Sequence, residues 1–229
     1  MTAAKTGAAA NGAALYSGLF VTFEGIDGSG KSTQCRLLAE ALQAQGIEVV
    51  LTREPGGSDG AEEIRRLVLE GDPDRWSAET ELLLFTAARR DHMERRILPA
   101  LAAGKVVVCD RFADSTRMYQ GLSRGDLRAS VDQLHHLMIG HEPDLTILID
   151  MDPAKGLARA KGRQGNEERF EDFGLDLQQR MRAGFLALAQ EFADRFRVID
   201  GDRPMDSVAR DVLEVVSTAL PASEGDAGA

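Results

Sequence analysis

The sequence predicts an α/β domain in which a parallel sheet is covered by helices on both faces. Three observations carry this expectation. Short apolar runs of strand length alternate with longer stretches of helical periodicity. The short runs are apolar almost throughout, as in strands buried on both faces, rather than at every second residue. No internal repeat and no long linker divides the chain. One domain is therefore expected over residues 19–220, with a flexible leader over 1–18 and a flexible tail over 221–229.

The elements follow in order. "LFVTFE" (Leu19–Glu24) reads as the first strand. A helix over Ser32–Gln45 follows, with an apolar stripe at Leu37, Leu38, Ala41 and Leu42, and Gly46 stops it. "IEVVLT" (Ile47–Thr52) is the second strand, and Gly57–Glu70 a further helix. Ser77 opens a long helical stretch through Ala103, with Pro99 expected to bend it. "KVVVCD" (Lys105–Asp110) and "DLTILID" (Asp144–Asp150) are strands three and four. A helix starts near Pro153, and the polar segment Lys161–Asp172 interrupts the pattern. A long helix, the short strand Arg197–Asp200 and a last helix over Pro204–Leu220 complete the domain.

Composition removes several classes of function. The 229 residues are 43% hydrophobic, enough for a substantial core, and carry a formal charge of −10. A general basic footprint for a nucleic acid polymer is absent, although local basic clusters can still hold small phosphorylated ligands. Cys35 and Cys109 are the only cysteines, which suits a reducing cytoplasmic compartment and supplies neither a zinc site nor a disulfide framework. No apolar run approaches membrane-spanning length, and the Ala- and Gly-rich start lacks the apolar core of a signal peptide.

In an open parallel sheet, ligands bind beyond the carboxyl ends of the strands. After the first strand stands "GIDGSGKS" (Gly25–Ser32), which has the G-x-x-x-x-G-K-[ST] spacing with a strand before it and a helix after it. Its glycines let the chain curl so that backbone N–H groups converge on phosphate, and the helix N-terminus adds a positive dipole end. Lys31 can bridge the β- and γ-phosphates, and the Ser32 hydroxyl can reach Mg²⁺. The candidate ATP site is Gly25, Asp27, Gly28, Ser29, Gly30, Lys31, Ser32 and Thr33. Asp27 stands out, because a carboxylate facing the ATP phosphates would weaken binding by like-charge repulsion. At this point a small-acceptor kinase, a GTPase switch and a motor or transport ATPase all remain open.

Three further stretches narrow the choice. "TREPGG" (Thr52–Gly57) places Arg53 after the second strand, where a guanidinium can meet an anionic substrate. Phe85 and Arg89 lie four apart on one helical face, a ring and a cation suited to a base. "CDRFADSTRMYQG" (Cys109–Gly121) sets Asp110 at the usual place for a metal-coordinating acid, and Arg111 facing the transferring phosphate. No N-K-x-D motif for reading guanine follows a later strand.

Together, "GIDGSGKS", "REPGG", "DR" followed by S-T-x-x-Y-Q-G, and the later "RFE" resemble the thymidylate kinase family over about Leu19–Leu220. The resemblance implies a P-loop, three-layer fold with a five-stranded parallel sheet and a mobile lid over about 161–172. It implies transfer of the γ-phosphoryl group of ATP to dTMP with Mg²⁺, in a cytoplasmic homodimer. Lys31 and the loop amides would hold ATP, and Ser32 and Asp110 the metal. Arg53 and Arg111 would hold the dTMP phosphate. Phe85 would stack on thymine, with Arg89, Thr116 and Gln120 at the base edge and Tyr119 beside the deoxyribose. Asp27 would turn toward the acceptor's 3′-hydroxyl. Gly28 stands where one branch of the family has an arginine, so the lid is expected to supply that charge. Of its basic residues (Arg159, Lys161, Arg163 and Arg169) Arg163 is the first choice. Two residues depart from the family pattern: Phe112, where Tyr or His is usual, and Arg117, where a smaller or neutral residue is usual.

Overall fold

The structure is a computed structural model of the chain, and it describes residues 17–72, 75–123, 126–161 and 174–220. Five strands form one parallel sheet in the order β2-β3-β1-β4-β5. They are β1 (Phe20–Glu24), β2 (Val49–Arg53), β3 (Val106–Asp110), β4 (Leu145–Asp150) and β5 (Phe196–Asp200). β1 and most of β3 and β4 are buried on both faces, which explains their near-continuous apolar sequence. The phosphate-binding sequence leaves the central strand β1 and enters α1 (Lys31–Ala44). Register places Asp110 of β3 between Phe23 of β1 and Arg53 of β2, so the functional ends of three strands lie side by side.

Helices cover both faces. On one, α1 and α9 (Met205–Ala219) close a core of Val21, Phe23, Leu38, Leu42, Val108, Ile147, Val212 and Val216. On the other, Phe20, Val107, Cys109 and Phe112 pack with Met93, Ile97 and Leu101. The latter three belong to the run that begins with α3 (Ala78–His92), which follows α2 (Asp59–Leu69). A third cluster joins Ile26 of the loop to Met118, Leu148, Met181 and Phe185. It fastens α8 (Leu175–Glu191) over the phosphate loop.

Ser77 caps α3, its hydroxyl accepting the Thr80 N–H at 3.2 Å. The expected bend at Pro99 lies earlier, in a π-helical segment over Met93–Ile97, and Pro99 itself sits in the first turn of α4 (Leu98–Ala102). Proline has no N–H to give to the preceding turn, so the irregularity falls before it, whereas in a first turn its missing donor costs nothing. The stretch after β3 is more regular than its sequence suggests: α5 (Ala113–Met118) runs into a π-helical segment over Tyr119–Ser123. α6 (Arg128–Leu134), a second element without a clear sequence signal, continues into a π-helical segment over His135–Ile139. α7 (Pro153–Lys161) begins where expected. The segment 162–173, which holds most of the expected lid, and the expected leader and tail lie outside the described residues, apart from Ser17, Gly18 and Lys161 at their inner edges.

Candidate active site

The phosphate loop is shaped by close backbone approach. Gly28 has φ +75°, and a Cβ added there would lie 2.0 Å from the carbonyl oxygen of Gly156 in α7. A side chain at 28 is therefore opposed twice, by the left-handed backbone and by the neighbouring helix. This is a physical reason for a glycine where an arginine is otherwise possible. Gly30 has φ +99° with nothing within 4 Å of an added Cβ, so the space above it is open. Lys31 is buried, and its ammonium donates to the carbonyl of Ile26 at 2.8 Å across the loop. Burial and the nearby Arg111 lower its pKa to about 8 against the pull of Asp27, Asp110 and Glu24.

Ser32, one residue on, donates its hydroxyl to Asp110 Oδ2. The other carboxylate oxygen of Asp110 is buried with no hydrogen-bond partner among the described residues. A hydroxyl and a carboxylate with spare acceptor capacity, next to a phosphate loop, fit Mg²⁺, which takes few protein ligands and leaves the rest to water and phosphate. Thr33 is half-buried beside them. Arg53 lines the same cavity of about 370 Å³ with Ser32, Asp110 and Arg96. Arg53 is exposed and pairs with Glu62 at 3.2 Å.

Asp27 turns away from Ser32 and Asp110. One of its oxygens accepts from Arg111 Nη2, and the other accepts the Tyr119 hydroxyl at 2.9 Å. Burial raises the Asp27 pKa, but Arg111 and then Lys31 outweigh it and hold the carboxyl below its ordinary value. Arg111 is the only non-glycine residue with positive φ (72°) among the described residues. Holding such a residue costs about 1–3 kcal/mol, which the surroundings must offset. They do so through Glu24, at the end of β1. Its carboxylate accepts the N–H of Phe112 at 2.8 Å, the N–H of Ser115 at 3.1 Å and the Ser115 hydroxyl at 2.6 Å. Ser115 Oγ in turn accepts from Arg111 Nη1 at 3.0 Å. Glu24 thus caps α5 from another strand and fixes Arg111 over Asp27. Burial, then Asp114, raises Glu24 to about 7 against Arg111, Ser115 and the Phe112 N–H.

A second buried network serves the other side of α5. Arg89 Nε donates to Glu54 Oε2 at 2.7 Å, and its Nη2 donates to Thr116 Oγ1 at 2.9 Å. His92 joins Glu54 at 3.2 Å and Thr52 Oγ1 at 2.7 Å. Successive residues of an extended strand point to opposite faces. Arg53 thus opens onto the cavity it shares with Ser32 and Asp110, while Glu54 turns toward Arg89 and His92 of α3. Phe85 is half-buried rather than part of the core, and Gln120 is buried with Nε2 unpartnered among the described residues.

The sequence model of the thymidylate kinase family matches residues 23–212. The chain belongs to the thymidylate kinase family. It is 81% identical over 204 residues to a thymidylate kinase of Ruegeria pomeroyi, covering 89% of this chain and 97% of that one. It is 65% identical over 202 residues to a thymidylate kinase of Dinoroseobacter shibae, covering 88% and 98%. A solved thymidylate kinase from Ehrlichia chaffeensis is 37% identical and superimposes with a TM-score of 0.70 over 87% of this chain and 98% of that one. Membership makes the chain an ATP-dependent nucleoside monophosphate kinase, a phosphotransferase. Among the described residues no helix is long and apolar enough to cross a membrane.

Several of the expected residues meet one another. Ser32 meets Asp110, Asp27 meets Arg111 and Tyr119, and Arg89 meets Thr116. Arg53 and Arg111 flank Asp110 without sharing a hydrogen-bond partner. Arg163 lies outside the described residues. The two departures have structural reasons. Phe112 is fully buried against Phe20, with ring centroids 5.0 Å apart, and lies under the Arg89 guanidinium. Arg117 spends all three nitrogens on carboxylates: Asp132 at 2.8 Å, Asp114 at 2.8 Å and Glu142 at 2.6 Å. It is part of the buried scaffold, 3% exposed, with four of its five N–H groups donated to carboxylates. Glu24, Glu54 and His92 are the residues of these buried networks that sequence reasoning missed. For Glu24 the available signal was a carboxylate ending a run of buried strand, "LFVTFE"; β2, which leads into Glu54, is largely half-buried or exposed and carries no such signal.

Proposed function

We propose that the chain phosphorylates dTMP with ATP through one loop that serves both substrates, feeding dTTP synthesis. What carries this reading is the division of labour within Gly25–Ser32: Ser32 turns to Asp110, whereas Asp27 turns to Arg111 and Tyr119. On this reading Lys31, the loop amides and Thr33 hold the ATP phosphates, with Gly25, Gly28, Ser29 and Gly30 giving the loop its shape. Ser32 and Asp110 would hold Mg²⁺, which when bound neutralises phosphate charge during transfer. Arg53 and Arg111 hold the acceptor phosphate. Phe85 stacks on thymine, Arg89 with Thr116 and Gln120 reads its edge, and Tyr119 packs beside the deoxyribose. Arg163 of a lid over about 161–172 supplies charge at the transferring phosphate and helps exclude water.

The domain spans 19–220 and works as a cytoplasmic homodimer. Two free, buried cysteines suit a reducing compartment. Leu83 on α3 and Leu137 and Met138 in the neighbouring π-helical segment are 58%, 73% and 44% exposed, an apolar face suited to a second copy. The function is tested by kcat/KM for dTMP, dUMP, dCMP, GMP and AMP with MgATP. dTMP is expected to be the best acceptor, and a higher value for any other overturns the reading.

A further inference from the structure

Arg96 stands apart from the other arginines of its helical run. Arg90 donates to Glu94 at 2.7 Å, and Arg95 lies 3.9 Å from Asp91, each in an i,i+4 pair. Arg96 has no such option. Four residues before it stands His92, held by Glu54 and Thr52, and four after it Ala100. Among the described residues Arg96 makes no hydrogen bond and no ion pair. It belongs to the π-helical segment Met93–Ile97, and turns of this kind recur at functional sites. From there it borders two cavities. One, of about 480 Å³, is lined by Asp59 and Asp91, yet Arg96 pairs with neither. The other, of about 370 Å³, it shares with Ser32, Arg53, Gly57 and Asp110.

The charges around the second cavity decide the ligand. The Arg53 guanidinium is engaged by Glu62 at 3.2 Å. Asp110 adds a further carboxylate, whose Oδ1 is unpaired among the described residues. Without Arg96, two carboxylates therefore stand against one guanidinium. That is the wrong sign for a phosphate monoester, which carries close to two negative charges near neutral pH. Arg111, the other cation assigned to the acceptor phosphate, is likewise engaged, by Asp27 and Ser115. Arg96 brings a cation with no carboxylate of its own, and its planar fork of N–H groups matches phosphate oxygens. We propose that Arg96 binds the phosphate of the acceptor nucleotide beside Arg53, and so favours the charged monophosphate over its uncharged nucleoside. This rests on the reading that Arg53 holds the acceptor phosphate.

The test compares ligands with and without the phosphate. Arg96→Met keeps most of the side-chain stem and removes the charge, whereas Arg96→Lys keeps the charge without the fork. Full-length wild type and both variants are titrated with dTMP, with MgATP and with thymidine, which lacks the phosphate. Arg96→Met should raise the Kd for dTMP about 5–15-fold, between the worth of an exposed ion pair and that of a hydrogen bond to a charged group. Arg96→Lys should recover part of that loss. The Kd values for thymidine and MgATP should stay within about 2-fold of wild type, as for a surface charge that touches neither. An unchanged Kd for dTMP makes Arg96 a solvated surface charge and overturns the proposal. An equal loss on thymidine also overturns it, since the effect would not pass through the phosphate, as does a larger loss on MgATP than on dTMP. Where thymidine binds too weakly to titrate, its Ki against dTMP turnover gives the same ratio. Failure of wild type to prefer dTMP as acceptor would strike the proposed function instead, so the two failures are distinguishable.

Discussion

Replacing Glu54 by glutamine keeps the shape of the side chain and removes one charge from a buried pair. Glu54 and Arg89 are each only about 5% exposed at the side chain, and they meet at 2.7 Å. Burial pushes Glu54 up, but Arg89 and His92 outweigh it, and its pKa lies below the ordinary 4.5. Removing one partner of such a pair costs about 3–5 kcal/mol, because the other charge stays buried. The glutamine oxygen can still accept one hydrogen bond from Arg89, so a loss of about 2–4 kcal/mol is expected. For a domain of this size that corresponds to a fall in Tm of about 5–15 °C. Because Arg89 also holds Thr116, a loosened guanidinium should raise KM for dTMP about tenfold while leaving KM for ATP unchanged. A carboxyl with a lowered pKa contributes stability above its unfolded pKa and loses it as pH falls through the folded one. The gap between Glu54→Gln and wild type should therefore narrow on acidification below about pH 4. Chemical denaturation across pH and steady-state kinetics with each substrate read these effects. A variant with wild-type stability and wild-type KM for dTMP would refute the reasoning.

Two further outcomes follow from the same geometry. Glu24 is raised to about 7, so its contribution to stability is fully present below 4.5 and is lost as pH rises through 7. Relative to Glu24→Gln, wild type should thus lose about 3 kcal/mol between pH 4.5 and 8 in denaturation experiments; a difference that does not vary with pH would contradict this. At the phosphate loop, Gly30→Ala meets only backbone strain, about 1–2 kcal/mol, but intrudes into the open phosphate seat and should abolish ATP binding. Gly28→Ala also meets the Gly156 carbonyl, so it should unfold more readily than Gly30→Ala in the absence of ATP. Equal stabilities of these two variants, measured by thermal melting, would count against the packing of α7 on the loop.

What the sequence made legible was local chemistry with a fixed spacing. The apolar runs of β1, β3 and β4 announce strands because both faces are buried. The phosphate loop announces itself because its glycines, lysine and serine stand at fixed spacing within eight residues, between a strand and a helix. Helical spacing alone places Phe85 and Arg89 four apart on α3, whereas the partners of Arg89, Glu54, Thr116 and the Phe112 ring, lie outside that helix. The rest depended on long-range contacts. α5 is capped by Glu24, from 88 positions earlier, and its regularity could not be read from "RFADSTRM". Arg117 looked like a departure at the base because its three carboxylate partners come from α5, α6 and the segment before β4. Gly28 was legible as a loop glycine, but the carbonyl of Gly156 that forbids a side chain there was not.

The central question is which substrate Asp27 serves. Its carboxylate sits within a phosphate loop yet is engaged by Arg111 and Tyr119. The direct measurement is Asp27→Asn, comparing the Kd for MgATP with kcat/KM for dTMP. Hydrogen bonds to charged groups are worth about 1.5–3 kcal/mol, so kcat/KM for dTMP should fall about 10–150-fold while the ATP Kd stays within about 3-fold. An unchanged turnover, or a loss of ATP affinity as large as the loss of turnover, would contradict a loop that serves both substrates.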